Sequence, residues 1–309
     1  MICMEAPNDL KRLYKHWEKH CRGGEKVNLK NVVDNGIFSD VLDFAKERME
    51  IWERKSQNAP RPWTGDAILN KYRFCNVYRE LDRQTIEFHT LLFGLRSNLS
   101  LWMLNMFYCR WVCKPDTIKM TGLLSFDIRQ NQKVYKTLVN LPRPKYGTAY
   151  VFPVSVLKKI GCHSREEFWC FYLPEKIKKM AALVSACRDA NVWDTVERLT
   201  DILGVNLRFH LTELLIDVAY QYPGCVNLFD RFPVGPGAKP TLSQLSKNIS
   251  AEELVVLLSR YYVPKFPYLT FGGRKVSLSA ENWEGLACEF RKYSNLRLGI
   301  GRKRIFTRV

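Results

Sequence analysis

The chain has 309 residues, with 48 Lys and Arg against 31 Asp and Glu, a formal charge of +17 and 46% apolar content. That apolar share excludes bulk disorder and allows a core built as one large domain or two lobes, while the charge points to a polyanionic partner, nucleic acid first among them. Ten cysteines with neither a C-x-x-C pair nor a nearby His cluster argue against a zinc site or a disulfide framework and fit free thiols in a reducing cytoplasm.

Residues 1–60 read as an N-terminal helical extension ahead of a helical region at 61–309. Leu10, Leu13, Tyr14 and Trp17 fall at helical spacing before Arg22-Gly23-Gly24, and Val41, Phe44, Ala45 and Met49 continue the pattern. Asn58-Ala59-Pro60-Arg61-Pro62 is a linker, because each Pro biases its predecessor away from helix. Trp63-Thr64-Gly65-Asp66-Ala67-Ile68-Leu69 follows, then Tyr72 through Thr85. As one helix, this stretch puts Phe74, Val77, Tyr78, Leu81, Thr85 and Phe88 on an apolar face. Asn76, Glu80, Arg83 and Glu87 take the opposite face, with Arg79 and Asp82 on its flank. Two readings stay open: a core helix with a solvated, salt-bridged outer side, or Arg79, Glu80, Asp82 and Arg83 looking into a cleft.

The apolar run Leu99 to Val112 reads as a buried helix closed by Lys114-Pro115. It is too short to span a bilayer and is interrupted by Asn105 and Arg110. With no apolar signal core at the N-terminus, a soluble intracellular protein is expected. From Ile128 to Arg165 the chain carries eight Lys or Arg residues and no acid, interleaved with Tyr135, Tyr146, Tyr150 and Phe152. That mix of phosphate-neutralising and stacking groups suits DNA contact; a basic surface over core aromatics is the alternative. Leu141-Pro142-Arg143-Pro144-Lys145-Tyr146-Gly147 reads as a loop.

Helix returns over 166–220. Val196, Leu199, Ile202 and Leu203 precede Gly204-Val205-Asn206, and Leu207, Phe209, Leu211, Leu214, Leu215 and Val218 follow. A hairpin of this kind near 196–220 can receive a DNA phosphate on the second helix's free N–H groups. Phe232-Pro233-Val234-Gly235-Pro236-Gly237-Ala238-Lys239 is a turn whose glycines permit close backbone approach. No G-x-x-x-x-G-K-[ST] run occurs anywhere, so there is no Walker A site. Glu281-Asn282 and Cys288-Glu289-Phe290-Arg291-Lys292-Tyr293 lead into a basic tail.

Four of these stretches, in this order, resemble one family. W-T-x-D with Y-R-E-L-D-R, the L-G-V hairpin followed by Asp217, G-P-G-A, and C-E-F-x-K-Y are similar to the α-glutamyl/putrescinyl thymine pyrophosphorylases, phage-type enzymes of thymine hypermodification. Relatives of those enzymes occur in the helical domain of hydroxymethyluracil DNA kinases. The spacing around Glu281-Asn282 and Cys288-Glu289 departs from the family's ending, and Asn206 stands where the helix-hairpin-helix DNA glycosylases usually carry a second Gly. The resemblance covers about residues 60–295. It implies an all-α, two-lobed fold like those glycosylases, and a cytoplasmic location (the host's, if phage-encoded).

The implied reaction replaces pyrophosphate on a 5-pyrophosphoryloxymethyluracil in DNA with the amine of an amino acid or polyamine. Positive charge would stabilise the departing pyrophosphate, so Arg79, Arg83, Lys239 and Lys292 are its candidate ligands. Glu80, Asp82, Asp217 and Glu289 are candidates to hold the ammonium and accept its proton. Asp230 lies near where related glycosylases carry a catalytic aspartate. Gly204, Val205, Asn206, Arg143, Lys145, Gly235 and Gly237 are candidate DNA contacts, and Trp63 and Tyr78 could face a flipped base. No cofactor is implied and no metal site is evident from spacing, although magnesium can bridge a pyrophosphate and a carboxylate. The competing functions are a glycosylase using Asp217 or Asp230, and a noncatalytic DNA-binding module.

Overall fold

The computed structural model describes residues 4–5, 27–147 and 152–301. The helix expected at Leu10–Trp17, its Gly-Gly stop, Tyr150 and the end of the basic tail lie outside those residues. The fold is all-α in the main, and the chain divides into two compact units: residues 1–83 with 228–309 (unit 1), and 84–227 (unit 2).

Unit 1 begins with a short strand, β1 (Met4–Glu5), and the long helix α1 (Asn35–Ser56). Asp34 caps α1 by accepting the Ile37 N–H, which satisfies one of the orphan donors at the helix start. Phe38, Val41, Phe44, Ala45 and Met49 form its buried stripe, and Arg48 lies buried in the same stripe. Asp66 caps α2 (Ala67–Lys71), accepting from the Ile68 and Leu69 amides.

The stretch after α2 is not one helix. Residues 73–76 have no helical structure, Arg79–Leu81 form a single 3-10 turn, and Asp82 is extended before a new helix, α3 (Arg83–Leu91), begins. Backbone groups that a helix would pair i to i−4 are bonded here by charged side chains from elsewhere in unit 1. The apolar positions still turn inward: Val77, Tyr78, Leu81, Thr85 and Phe88 are buried and Phe74 is half-buried. The altered phase buries Glu80 as well, which the single-helix reading had set opposite the apolar face, either solvated or in a cleft.

Unit 2 is built around α4 (Leu99–Val112), in which every residue from Trp102 onward is buried. The two polar interruptions of this run are satisfied inside. Asn105 donates to the Leu101 and Leu124 carbonyls and accepts the Leu124 N–H; Arg110 is taken up below. Next come α5 (Pro115–Thr121), α6 (Ile128–Asn140), the expected loop over 141–147, and α7 (Val154–Leu157). Arg165–Glu167 and a π-helical turn, Phe168–Tyr172, run directly into α8 (Leu173–Ala186). Strand β2 (Ala190–Asn191) pairs in parallel with β3 (Val226–Asn227), and between them α9 (Val192–Leu203) and α10 (Arg208–Gln221) pack as a hairpin. Helices α8 and α10 cover α4.

The chain then returns to unit 1 with α11 (Lys239–Leu245), α12 (Ala251–Ser259), strands β4 (Leu269–Phe271) and β5 (Arg274–Lys275), and α13 (Ala280–Arg297). Strand β4 lies between β1, parallel to it, and β5, antiparallel. Ser279 and Asn282 form a reciprocal capping box on α13, which explains the Asn of the Glu281-Asn282 pair. Helix α13 packs on α1, α2, α11 and α12 and so organises the unit. Among the described residues no helix is long and apolar enough to cross a membrane.

Candidate active site

Three of the four sequence stretches singled out above meet on α13. Asp66, of W-T-x-D, accepts a 2.5 Å hydrogen bond from the Tyr293 hydroxyl. Arg73 offers its carbonyl to the Lys292 ammonium, and Cys75 donates its N–H to Glu289 at 3.2 Å. The G-P-G-A turn lies on the same helix: the Gly235 N–H donates to Glu284, and Arg291 donates to the Pro236 carbonyl. A Cβ at Gly237 would stand 2.5 Å from the Cys288 sulfur. The glycine is thus required by contact with α13.

Four charged side chains clamp residues 73–76. Arg48 donates through Nη2 to the Phe74 and Cys75 carbonyls at 3.1 and 3.4 Å. Asp82 accepts the Asn76 N–H at 2.9 Å, while Glu289 takes the Cys75 N–H. Lys292 bonds Arg73, lies 3.2 Å from Glu289, and sits over the Phe74 ring at 4.4 Å. The loop is thus shaped by charges rather than by its own backbone.

Those charges belong to a larger set. Burial pulls the Arg48 guanidinium below its ordinary range, against the opposing influence of Glu289, Cys75 and Asp82. Partial burial, followed by the positive charges of Arg48, Arg83 and Arg61, pushes the Lys55 ammonium down, with Asp82 opposing. The Glu289 carboxylate foremost, with Asp82, pushes the Cys75 thiol well up, while Lys292 and Arg79 pull the other way. Cys75 is therefore a neutral thiol rather than a nucleophile. Among the described residues, Arg48, Arg61, Arg79, Arg83 and Lys292 act on these groups together with the carboxylates of Asp82 and Glu289, and Glu80 is buried in the same segment. Arg48 is only 5% exposed, and its Nε and Nη1 meet no hydrogen-bond acceptor among the described residues. A buried guanidinium with two idle donors is costly unless an anion satisfies it. Beside this set lies a cavity of 280 Å³ lined by Gly237, Glu289, Arg291, Lys292 and Asn295.

The remaining candidates fall elsewhere. Asp217 belongs to unit 2, where it is wholly buried. Arg110 donates to both of its oxygens, at 2.5 and 2.6 Å, and also to Thr85, while His89 lies 3.1 Å from the same carboxylate. Asp230 is half-buried in unit 1, before the G-P-G-A turn. Lys239 is exposed at the first position of α11 and is absent from the charges acting on Arg48, Lys55 or Cys75. Tyr78 is a core residue whose hydroxyl donates to the Val276 carbonyl at 2.7 Å. Trp63 is half-buried, its indole N–H donating to the Ala59 carbonyl and its ring covered by Arg61 at 4.4 Å. In the hairpin, Gly204 ends α9 at φ +73° and is exposed, as is Asn206, while Val205 is buried. Arg143 is exposed and Lys145 half-buried. No group of three or more His, Cys, Asp or Glu gathers to hold a metal among the described residues.

A model of the 5-hmdU DNA kinase helical domain matches residues 35–300, from the first residue of α1 to just past α13. This chain belongs to the 5-hmdU DNA kinase helical-domain family. It is 34% identical over 283 residues to the 5-hmdU DNA kinase of Bacillus phage SP10, an alignment covering 81% of this chain and 43% of that one. The chain therefore spans less than half the length of this curated relative. No solved structure matches it. The family match takes in both units and the whole charged clamp.

Sequence reasoning missed Arg48, Lys55 and Arg61 in this family member. Arg48 did leave a signal: it occupies an apolar position of α1, three and four residues after Ala45 and Phe44. A guanidinium inside an apolar stripe needs a partner, and that is a reason to look for one.

Proposed function

We propose that this chain acts in hypermodification of a DNA base, as a transferase that replaces pyrophosphate on 5-pyrophosphoryloxymethyluracil with an amine. The observation that carries the reading is Arg48, buried against the signature loop with Nε and Nη1 meeting no acceptor among the described residues, beside a cavity that Glu289 and Lys292 line. Departing pyrophosphate develops negative charge, and preorganised guanidinium groups stabilise it most where water is excluded. The two carboxylates suit the other half of the reaction. The amine nitrogen attacks the 5-methylene carbon as the carbon–oxygen bond to pyrophosphate breaks and its electron pair leaves with the oxygen. The proton on the new ammonium passes to a carboxylate, a role we assign to Glu289 because it lines the cavity. Asp82 holds the loop.

Membership in the helical-domain family supports DNA carrying a hydroxymethyluracil as substrate; the amino acid or polyamine co-substrate belongs to the proposal alone. The family name also favours a second reading, phosphoryl transfer to hydroxymethyluracil. Asp217 offers little to a glycosylase reading, because Arg110 already occupies both its oxygens.

Mass spectrometry of nucleosides separates the readings. The protein is incubated with pyrophosphorylated DNA and mixed amino acids and polyamines, and in parallel with hydroxymethyluracil DNA and ATP. A nucleoside mass gain with pyrophosphate release is expected. Phosphorylated hydroxymethyluracil would replace this reading with the kinase, and abasic sites would replace it with the glycosylase. Arg83→Ala should abolish turnover while leaving salt-sensitive DNA binding largely intact; near-normal turnover would remove Arg83 from the site.

A further inference from the structure

We propose that a second cavity, in unit 2, holds a phosphodiester of the DNA strand. It measures 530 Å³, and Arg143, Lys145, Tyr146, His163, Arg165 and Glu166 are among the residues that wall it. Its one carboxylate is already engaged. The Tyr146 hydroxyl donates to Glu166, and the Lys145 ammonium stands 3.3 Å from it. Lys145 also donates to the Leu138 and Val139 carbonyls near the end of α6, at 2.6 and 3.4 Å. Tyr146, Glu166 and Lys145 are therefore framework.

What remains facing the cavity is positive and unmatched. The Arg165 guanidinium lies over the Tyr146 ring at 4.6 Å, and Arg143 is exposed beside it in the wall. Among the described residues neither forms an ion pair with a carboxylate. His163 also lines the wall, its backbone N–H held by Glu167 at 2.6 Å. Two guanidinium groups without acid partners, one of them stacked and pre-oriented, match the geometry of a phosphate group. The formal charge of +17 marks a long polyanion as its source rather than a single nucleotide.

This inference rests on DNA being the substrate, but not on which reaction follows. Within the acid-free stretch, Lys145 is thus scaffold, while Arg143 and Arg165 face the cavity.

The test is fluorescence anisotropy of a labelled, unmodified duplex across a salt series, with ATP titrated separately as a mononucleotide probe. Arg143→Ala and Arg165→Gln should each weaken duplex binding and reduce the slope of log affinity against log salt by about 1. Lys179→Ala removes an exposed charge of α8 outside the cavity and should leave the slope unchanged. Equal slopes for all variants and the wild type overturn the proposal, as does an equal loss from Lys179→Ala. ATP binding lost in the arginine variants with duplex binding unchanged also overturns it, since the cavity then takes a mononucleotide. No wild-type duplex binding at all would instead remove the DNA reading beneath it. Arg143→Ala carries the test alone if Arg165→Gln lowers thermal stability, because Arg143 is exposed and its loss leaves the framework untouched.

Discussion

In unit 2 the Asp217 carboxylate is sealed in the core with Arg110 on both oxygens; in unit 1 Glu289 keeps 17% of its side chain open beside a cavity. Both are acids paired with cations, yet their physics differs. Two charges removed from water cost several kcal/mol each, which their attraction offsets only when geometry is close and every lone pair is met. Asp217 meets that standard through Arg110 and His89, so it fixes how α3, α4 and α10 pack. Glu289 and Asp82 each accept a backbone N–H. The Asp217 carboxylate has both oxygens bonded by Arg110, whereas Nε and Nη1 of Arg48 meet no acceptor among the described residues.

The largest effect that could break this contrast is at Asp217. Asp217→Ala or Arg110→Ala should cost about 3–5 kcal/mol, because each leaves an uncompensated buried charge. Replacing both with apolar residues of similar volume should cost much less, measured by urea unfolding. If the single variants are as stable as wild type, the core role assigned to Asp217 is wrong. Next is Arg48→Lys, which keeps a charge but loses the paired hold on the Phe74 and Cys75 carbonyls. A turnover loss of about 10²- to 10³-fold is expected, the range for removing one preorganised donor. The decisive comparison is that Arg110 variants lose stability first and Arg48 variants lose rate first.

Gly237→Ala should cost about 1–3 kcal/mol, as overpacking does, since its Cβ would meet Cys288 at 2.5 Å. Pairing it with Cys288→Ala should recover most of the loss, read as thermal midpoints. Tyr293→Phe removes one hydrogen bond to Asp66 and should cost about 1 kcal/mol. Burial, then the Asp66 hydrogen bond and charge, push the Tyr293 phenol up to about 12, so it remains a donor throughout the neutral range.

The smallest effect is a pH dependence in unit 2. Burial pushes the Glu166 carboxyl up, but hydrogen bonds from Tyr146, its own backbone and Lys145 outweigh it and hold the group below its ordinary value of 4.5. A depressed carboxylate contributes stability above its unfolded value, and this is lost as pH falls through the folded one. Glu166→Gln should therefore lower the thermal midpoint near neutrality and flatten its decline below pH 4.5. An unchanged acid limb would show that Glu166 is not held by that network.

Much of the architecture was legible in the chain alone. The stripe of α1, the buried α4, the loop after α6 and the Gly204 hairpin follow from apolar period and turn chemistry, which act over a few residues. Local period failed at residues 72–82. There the apolar positions suit a helix, but Arg48, Asp82, Glu289 and Lys292 capture the backbone groups a helix would use. Three of those four lie at least 25 residues away in sequence or more than 200.

Sequence by itself determined the helical class, the positive charge and the order of the four stretches that resemble one family, because composition and short-range spacing carry all of these. Only the tertiary structure decided which charged residues stand together. It brought Arg48 to the signature loop, set Glu80 inward and gave Asp217 to the core of unit 2. Coulomb attraction and desolvation depend on distance and burial, and neither is encoded by position along the chain.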